Sequence, residues 1–477
     1  MDFLYRFRSI DALLGERAEL QNRQIYFASP AQLNDPMEGF KDLFWKGDKI
    51  VWRNLCKHYV LCLLQTTLVV FISGSEYSPE LADNLIFHTE SSLPEAPIKG
   101  LLAEIYRTCF EDENVNQIIE FLASRSNLIR HEEFTFFIKL LNSRVFPIVL
   151  SVLSAHDLMP AIKMPGINPN NRYVKGTIIQ LSKLDSEPEA IREDARVAFF
   201  IEADQIDQQI RLIYFIRQAE EARSGWWSLC MEFPDQYATR LSKIIYTDWF
   251  AACFVSAPNQ AAMWGNYADG HKGCCLKFRV EKNDTGVPYL SLSRIIGATA
   301  GPRDAQTING EAVHPFYEVK YVKKFVEIDF FRSIGRIPAG ALRRDWYSDE
   351  KGNISECADG IFSNEDRWRS HYWKSFESVV TAKLDDWRHE REYRLILISG
   401  LFDFLDDDQR TVKYKLDDLV GIIFGVATSL EDKRRIANIV EQLCKDHGRK
   451  EFEFSQAYYS ARLGRIDIRP LGLVRFE

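Results

Sequence analysis

The sequence lacks several signatures that would assign a function directly. No Cys-x-x-Cys pair and no His-x-x-x-His pair occurs, so neither a structural zinc site nor a zinc-hydrolase helix is indicated. No glycine-rich loop of the Rossmann or P-loop type is present, so nucleotide binding has no independent support. The sequence also contains no low-complexity tract, repeat or long run of one charge sign. We therefore predict a metal-free protein that is folded along its whole length.

The chain also has no excess of positive charge and no membrane-length hydrophobic run. Its 60 Lys and Arg against 68 Asp and Glu give a net charge of −8, so a nucleic-acid partner is not indicated. The most apolar run, Tyr59 to Gly74, is shorter than the roughly 20 residues that span a bilayer and contains Gln65 and two threonines. We expect a buried helix there and no membrane partner.

The nine cysteines show no regular spacing, and no apolar signal segment stands at the start of the sequence. An odd number of irregularly spaced cysteines is typical of free thiols in a reducing compartment. This pattern predicts a cytoplasmic protein. The adjacent pair Cys274 and Cys275 cannot chelate one ion well and is interpreted as packing.

The pattern of elements predicts an α+β fold with a mixed, largely antiparallel sheet. Strand-like segments stand near both ends of the chain, whereas apolar residues recur at helical intervals from Val51 to Ile162, and a charged helical stretch follows to about Gln236. We predict a core formed by residues 1–50 and 240–477, split by a mainly α-helical insertion at 51–239. The insertion is a candidate surface for a protein partner.

Two islands of unusual residues lie in the first 40 positions. In the segment LYRFRS, Arg6 and Arg8 share one face of a predicted strand, for which a solvated edge is the structural alternative. In the segment IYFASPAQLNDPMEG, Ser29, Asn34 and Asp35 flank two prolines, a composition that also suits a plain capping turn.

A third island is the segment MWGNYADGHKGCCLKF. Trp264, Tyr267 and His271 are spaced by three and four residues, so they share one face if the segment is helical, with Gly270 and Gly273 ending the helix. A structural histidine is the alternative interpretation of His271.

The fourth island, DDWRHEREYRLI, is the strongest single indication of a site. On a strand, Glu390, Glu392 and Arg394 would point to one face, and such a charged row is costly to bury unless its charges are paired or used. An exposed ladder of salt bridges is the alternative.

The segments LYRFRS, IYFASPAQLNDPMEG, CFVSAPNQAAMWGNYADGHKGCCLKF, VKYVKKF and KLDDWRHEREYRLI occur in that order. In this combination the chain resembles the bacterial domain-of-unknown-function family 2971 (DUF2971). The resemblance covers roughly residues 1–45 and 245–430 and leaves out the helical insertion. It departs from the family at Ala28-Ser29, where two serines usually precede the proline. The family name assigns no activity, so the resemblance implies a map of motifs.

The layout of the core is similar to that of ADP-ribosyltransferases, in which an Arg strand, a Ser or Tyr strand and a late Glu-x-Glu strand follow one another. The series Arg8, Ser29 and Glu390-x-Glu392 matches that order. The similarity implies that Arg8 grips dinucleotide phosphates, Ser29 fixes a ribose, and Glu392 stabilises an oxocarbenium-like cation as nicotinamide leaves NAD. Trp264 or Tyr267 would stack on the nicotinamide.

Two further hypotheses remain open at this point. A ligand-sensing or protein-interaction module would use the same convergence of charged and aromatic side chains for recognition alone. A metal-dependent hydrolase would use Asp35, His271 and Glu392. A role in bacterial conflict or phage defence is predicted only by association.

Overall fold

The computed structural model describes residues 2–74, 83–93, 98–160, 171–217, 225–300, 305–400, 404, 406–462 and 464–474. The chain has the predicted α+β fold, with one large, mixed and mostly antiparallel curled sheet. It forms two compact units. Unit 1 consists of Met1–Phe40, Asp248–Phe325 and Glu377–Glu477, and unit 2 of Lys41–Thr247 and Val326–Phe376.

The strands of the described residues are numbered in chain order. They are β1 Phe3–Arg8, β2 Gln24–Tyr26, β3 Asp42–Trp45, β4 Ile129–Arg130, β5 Trp249–Val255, β6 Cys274–Arg279, β7 Glu281–Lys282, β8 Pro288–Ala300, β9 Ala305–Glu318, β10 Lys320–Val322, β11 Glu327–Asp329, β12 Ala382–Leu384, β13 Glu392–Ile398, β14 Thr411–Tyr414, β15 Leu419–Phe424, β16 Glu453–Ser460 and β17 Arg465–Pro470.

The α-helices are numbered in the same way. They are α1 Ile10–Leu14, α2 Glu19–Asn22, α3 Lys49–Ile72, α4 Ile98–Glu111, α5 Glu113–Ser124, α6 His131–Ala155, α7 Asn171–Asp185, α8 Glu189–Arg217, α9 Gly225–Trp227, α10 Phe233–Arg240, α11 Ala261–Tyr267, α12 Ala339–Ala341, α13 Glu365–Thr381 and α14 Leu430–Asp446.

Unit 1 is built on a sheet of 12 strands in the order β17-β16-β15-β6-β1-β5-β13-β9-β8-β14-β2, with β7 paired to β8. The sheet curls until its end meets its middle: the amide of Ala28, just after β2, donates to the carbonyl of Ala251 in β5 at 2.9 Å, and Ala251 returns the bond at 2.8 Å. Strands β5, β13, β9, β8, β14 and β2 therefore close into a ring.

Each face of this sheet carries its own hydrophobic core. The larger core contains Leu4, Phe254, Leu395 and Ile436, so it covers one face of the central strands and includes α14. The smaller core lies on the other face, around Phe7, Val255 and Trp264. Because successive side chains of a strand point to opposite faces, each residue of a central strand lies either on the face of the larger core or on that of the smaller core.

Unit 2 is mainly helical and has a small sheet of β11, β3 and β4. The helices α3 and α6 are long and apolar enough to cross a membrane by length and composition alone. Both are mostly buried inside the protein, over 67% and 61% of their most apolar windows, which fits the core helices of a soluble protein. The apolar run at Tyr59 therefore lies in a buried helix, as the sequence predicts.

The unit boundaries differ from the sequence-based domains at one large segment. Residues 326–376, placed in the core from sequence, belong to unit 2 together with the predicted insertion, and so do the short flanking stretches 41–50 and 240–247. The reason is pairing and packing: β11 runs parallel to β3, and Phe331 packs edge-on against Trp52 of α3. Within the predicted insertion, residues 75–82, 94–97, 161–170 and 218–224 lie outside the described residues.

Candidate functional site

Three of the four sequence islands meet in unit 1 at one group of buried charged side chains. Glu38 lies in the loop that follows β2, Lys383 on β12, Glu390 at the end of a 3-10 turn, and Glu392 and Arg394 on β13. None of the five side chains exposes more than 7% of its surface. We call these five residues the charge cluster.

Arg394 is the centre of the charge cluster and is fully buried. Its Nε donates to Oε1 of Glu392 at 2.7 Å, and its Nη2 donates to Oε1 of Glu38 at 2.7 Å. The remaining Nη1 donates to the carbonyl oxygen of Val380 at 2.9 Å. All three nitrogens of the guanidinium therefore have acceptors, as a buried arginine requires.

Lys383 is the second cation of the charge cluster. Its Nζ lies 2.6 Å from Oε2 of Glu390 and 3.3 Å from Oε2 of Glu392. It is also 3.3 Å from Oε1 of Glu38, the oxygen that Arg394 binds. One ammonium thus touches all three carboxylates.

The charge cluster holds three carboxylates against two cations, so the group carries one excess negative charge when all five side chains are ionised. Burial opposes ionisation of Glu392, but Arg394 and Lys383 outweigh it and lower the pKa of Glu392 to about 2. At Glu38, burial dominates and raises the pKa. The second carboxylate oxygen of Glu38 is buried and has no hydrogen-bond partner among the described residues. Glu38 is therefore a carboxylate whose charged form is opposed by its surroundings.

Three half-buried aromatic side chains touch the charge cluster, and we call them the aromatic rim. The hydroxyl of Tyr267 donates to Oε1 of Glu390 at 2.6 Å. The hydroxyl of Tyr321 accepts the backbone amide of Glu392 at 2.9 Å, and the ring centroid of Trp387 lies 4.7 Å from Nζ of Lys383. Burial and the neighbouring Glu390 raise the pKa of Tyr267, so this hydroxyl keeps its proton and acts as a donor.

The local fold around Glu390 differs from the predicted strand. Residues Asp385–Glu390 form a 3-10 turn, and β13 begins only at Glu392. Arg391 between them has a left-handed backbone with φ of 49°, a conformation that costs free energy for a residue other than glycine. Glu390, Glu392 and Arg394 still meet, as predicted, but a backbone kink and not strand alternation positions Glu390.

Arg8 does not join this group. Glu392 is paired with Val255 and Val255 with Tyr5, so Glu392 and Tyr5 share one face of the sheet, whereas Arg8 is three residues from Tyr5 and points to the other. Arg8 binds both carboxylate oxygens of Glu19, with its Nε 2.9 Å from Oε2. The structure therefore places Arg8 and Glu392 on opposite faces.

The second island contributes local turn structure at three of its predicted positions. The hydroxyl of Ser29 bonds Oε1 of Gln32 at 3.2 Å in a capping box, as the alternative interpretation expects. Asn34 is exposed, and buried Asp35 accepts the backbone amide of Met37 at 2.9 Å. These turns position the loop that carries Glu38.

In the third island, Trp264 belongs to the hydrophobic core and Tyr267 to the candidate site. Trp264 is fully buried against Phe7, with ring centroids 4.9 Å apart, so it is a packing residue. Helix α11 ends at Tyr267, and the next residues include Asp269, Gly270 and His271 in left-handed conformations. His271 is therefore outside the helix, because this turn redirects the chain before β6. Its ring lies 5.6 Å from that of Tyr459.

Glu38 and Lys383 are essential members of the charge cluster that the sequence-based site omits. Both lie inside segments already singled out, the first in NDPMEG and the second at the start of KLDDWRHEREYR. The signal that could have found them is charge balance, because a buried Glu-x-Glu-x-Arg row requires a further cation.

The hypothesis of a metal-dependent hydrolase requires a group of metal-ligating side chains. Within the described ranges, no group of three or more His, Cys, Asp or Glu side chains could hold a metal ion, and Asp35, His271 and Glu392 form no such group. Two cavities, of about 600 and 320 Å³, lie in unit 2 and are lined by charges of both signs. The candidate site of unit 1 is thus the charge cluster with its aromatic rim.

No family model, curated protein or solved structure matches this chain. The resemblance to DUF2971 stays a prediction, and the function must be argued from the site itself.

Proposed function

We propose that unit 1 is a ligand-binding module that recognises a cationic aromatic group, with the nicotinamide ring of NAD as the candidate. The observation that carries this proposal is the combination of an unbalanced carboxylate, three against two, with three half-buried aromatic side chains in contact with the same cluster. Aromatic faces and a net negative charge both attract a cationic ring.

The side of the site that Tyr267 occupies is the proposed entry point. Tyr267 is half-buried, and its hydroxyl donates a hydrogen bond to Oε1 of Glu390. Both carboxylate oxygens of Glu392, by contrast, already bind Arg394 and Lys383. A ligand hydroxyl or amide that displaced the tyrosine hydroxyl would inherit a charge-assisted hydrogen bond to Glu390. Glu390 is therefore the carboxylate that we assign to ligand binding.

A second candidate is ADP-ribosyl transfer or NAD hydrolysis, supported by the short Tyr267–Glu390 contact. In that case Glu390 would stabilise the oxocarbenium-like transition state, a role that the sequence analysis predicts for Glu392. Burial and double ion pairing of Glu392 favour binding without turnover. The two candidates differ in one observable, nicotinamide release.

The test is calorimetric titration of the purified chain with NAD, followed by chromatographic measurement of nicotinamide. Glu390→Gln should weaken NAD binding. Tyr267→Phe removes the hydroxyl that the ligand displaces but keeps the ring, so it should leave NAD binding unchanged or strengthen it. Arg8→Lys, on the other face of the sheet, serves as the matched control. Binding without release supports the module, and release abolished by Glu390→Gln supports the enzyme. If NAD does not bind at all, or if Arg8→Lys weakens it as much as Glu390→Gln, the assignment of this site is wrong.

We place this activity in the cytoplasm, in line with the nine free cysteines. A role in phage defence is part of the proposal. It predicts that bacteria expressing the chain resist infection and that Glu390→Gln removes the resistance; equal plaque counts with and without the chain would count against it.

A further inference from the structure

The helix α8 in unit 2 exposes an unusual amount of apolar surface. Six large apolar side chains in its C-terminal half are between 47% and 71% exposed: Ile206, Ile210, Leu212, Ile213, Phe215 and Ile216. With side chains of roughly 150–200 Å² each, they amount to roughly 500–650 Å², the upper range for the largest patch of a monomer. Such a patch is typical of an interaction surface.

The opposite side of α8 is already used inside unit 2. Phe200 is buried, Arg211 pairs with Asp207 and Asp235, and the ring of Tyr214 stacks on that of Trp227 at 3.7 Å. The exposed apolar side chains therefore lie on the rest of the helix surface, and packing among the described residues of unit 2 does not account for them.

The exposed face has a self-complementary order of residues. Glu202, Ile206, Gln209, Ile210, Ile213 and Arg217 follow one another at steps of three and four, apart from the adjacent pair at the centre, so they form one stripe along the helix, which we call the α8 stripe. The stripe is symmetric about the midpoint between Gln209 and Ile210. Its ends, Glu202 and Arg217, are of opposite charge and are both exposed.

We propose that the α8 stripe is a dimer interface with a second copy of this chain, in which two α8 helices cross antiparallel at that midpoint. In this arrangement Ile206 of one copy faces Ile213 of the other, and Glu202 faces Arg217 at both ends. Ile206, Ile210 and Ile213 of the stripe supply about half of the exposed apolar area of the helix. The rest of the roughly 800 Å² that each partner contributes to a specific interface would come from side chains beside the stripe, such as exposed Leu212 and Ile216. A two-fold axis requires this self-complementarity.

The charge of α8 disfavours a membrane as the partner. The helix has six acidic and four basic residues and no lysine, a net charge of −2. Helices that lie on anionic membranes are rich in Lys and Arg on their polar face. A second copy of the chain, which offers Arg217 to Glu202, satisfies both the apolar area and the charges.

The proposal does not depend on the function of unit 1. It is tested by analytical ultracentrifugation of the full chain over a range of concentrations. We expect a monomer–dimer equilibrium, weakened roughly a hundredfold or more by Ile206→Glu with Ile213→Glu, because each charge would be buried in the apolar centre. Leu430→Glu in unit 1, an 84% exposed leucine on another helix, is the matched control.

Charge reversal tests the antiparallel register with variants that leave the helix intact. Glu202→Arg alone and Arg217→Glu alone should each weaken the dimer, by roughly tenfold, and the double variant should restore it because both pairs are re-formed with exchanged signs. A chain that stays monomeric at all concentrations, a dimer unaffected by the two glutamates, or a double variant weaker than either single one would overturn the proposal. Binding of the monomer to lipid vesicles in place of dimerisation would assign the stripe to a membrane and equally overturn it.

Discussion

The charge cluster makes a prediction in which two chemically identical substitutions have different outcomes. Glu392→Gln and Glu38→Gln each replace a buried carboxylate with its amide within one ion-pair network. Folding lowers the pKa of Glu392 from 4.5 to about 2, a difference worth ~3 kcal/mol of stability at neutral pH. We expect Glu392→Gln to lose about that amount.

Glu38→Gln should cost far less. Burial raises the pKa of Glu38 in the folded state, so its charged form opposes folding, and one of its oxygens has no partner among the described residues. Replacing that carboxylate removes the excess negative charge but keeps an acceptor for Arg394. We expect a change below about 1 kcal/mol, of either sign.

Because the chain has two units, the assay must report on unit 1 alone. Cys274 and Cys275 are fully buried in unit 1, whereas Cys56 and Cys62 are buried in unit 2. Thiol labelling across a urea series, followed by peptide mapping, gives a separate free energy of unfolding for each unit. The reasoning fails if the two variants lose equal stability in unit 1, or if Glu392→Gln acts mainly on unit 2.

Three further predictions use the same labelling assay. Because its folded pKa is depressed, Glu392 stabilises unit 1 above pH 4.5 and loses that contribution as the pH falls towards 2, so Glu392→Gln should flatten the stability profile in this window. Tyr267→Phe removes a 2.6 Å donor to buried Glu390 and should cost unit 1 about 1.5–3 kcal/mol; an unchanged value would mean that water replaces the hydroxyl. Burial lowers the pKa of His58 from 6.5 to about 4, so unit 2 should lose up to ~3 kcal/mol as the pH falls from 6.5 to 4, seen as earlier labelling of Cys56 and absent in His58→Phe.

Sequence reasoning predicted the fold class because the periodicities of the strands and helices are strong. The strand β1, predicted at LYRFRS, follows directly from local residue types. The placement of 326–376 could not be read locally, because it depends on β11 pairing with a strand almost 300 residues earlier. Pairing of distant segments carries no periodic signal.

The candidate site was predicted only in part, because it also depends on contacts between distant segments. The triplet Glu390, Glu392 and Arg394 was recognised from spacing and charge, and Tyr267 from its island. Arg8 was grouped with them from chain order alone, but the register of β1 against β5 turns it to the other face. Glu38 and Lys383 were missed because their role depends on the balance of buried charge, which only the three-dimensional contacts reveal.

Unit 1 is formed by three separate segments of the chain, so strands that are neighbours in its sheet are synthesised at different times. Strand β1 lies between β5 and β6 in the sheet, yet β5 begins at Trp249, long after β1 ends at Arg8. At ~5–20 residues per second, a ribosome leaves β1 without either neighbour for roughly 10–50 s, while most of unit 2 emerges. During that interval a strand with two open edges is exposed to aggregation. Nascent chains arrested before Trp249 should therefore have a protease-sensitive β1 and a need for chaperone protection that the completed chain has lost.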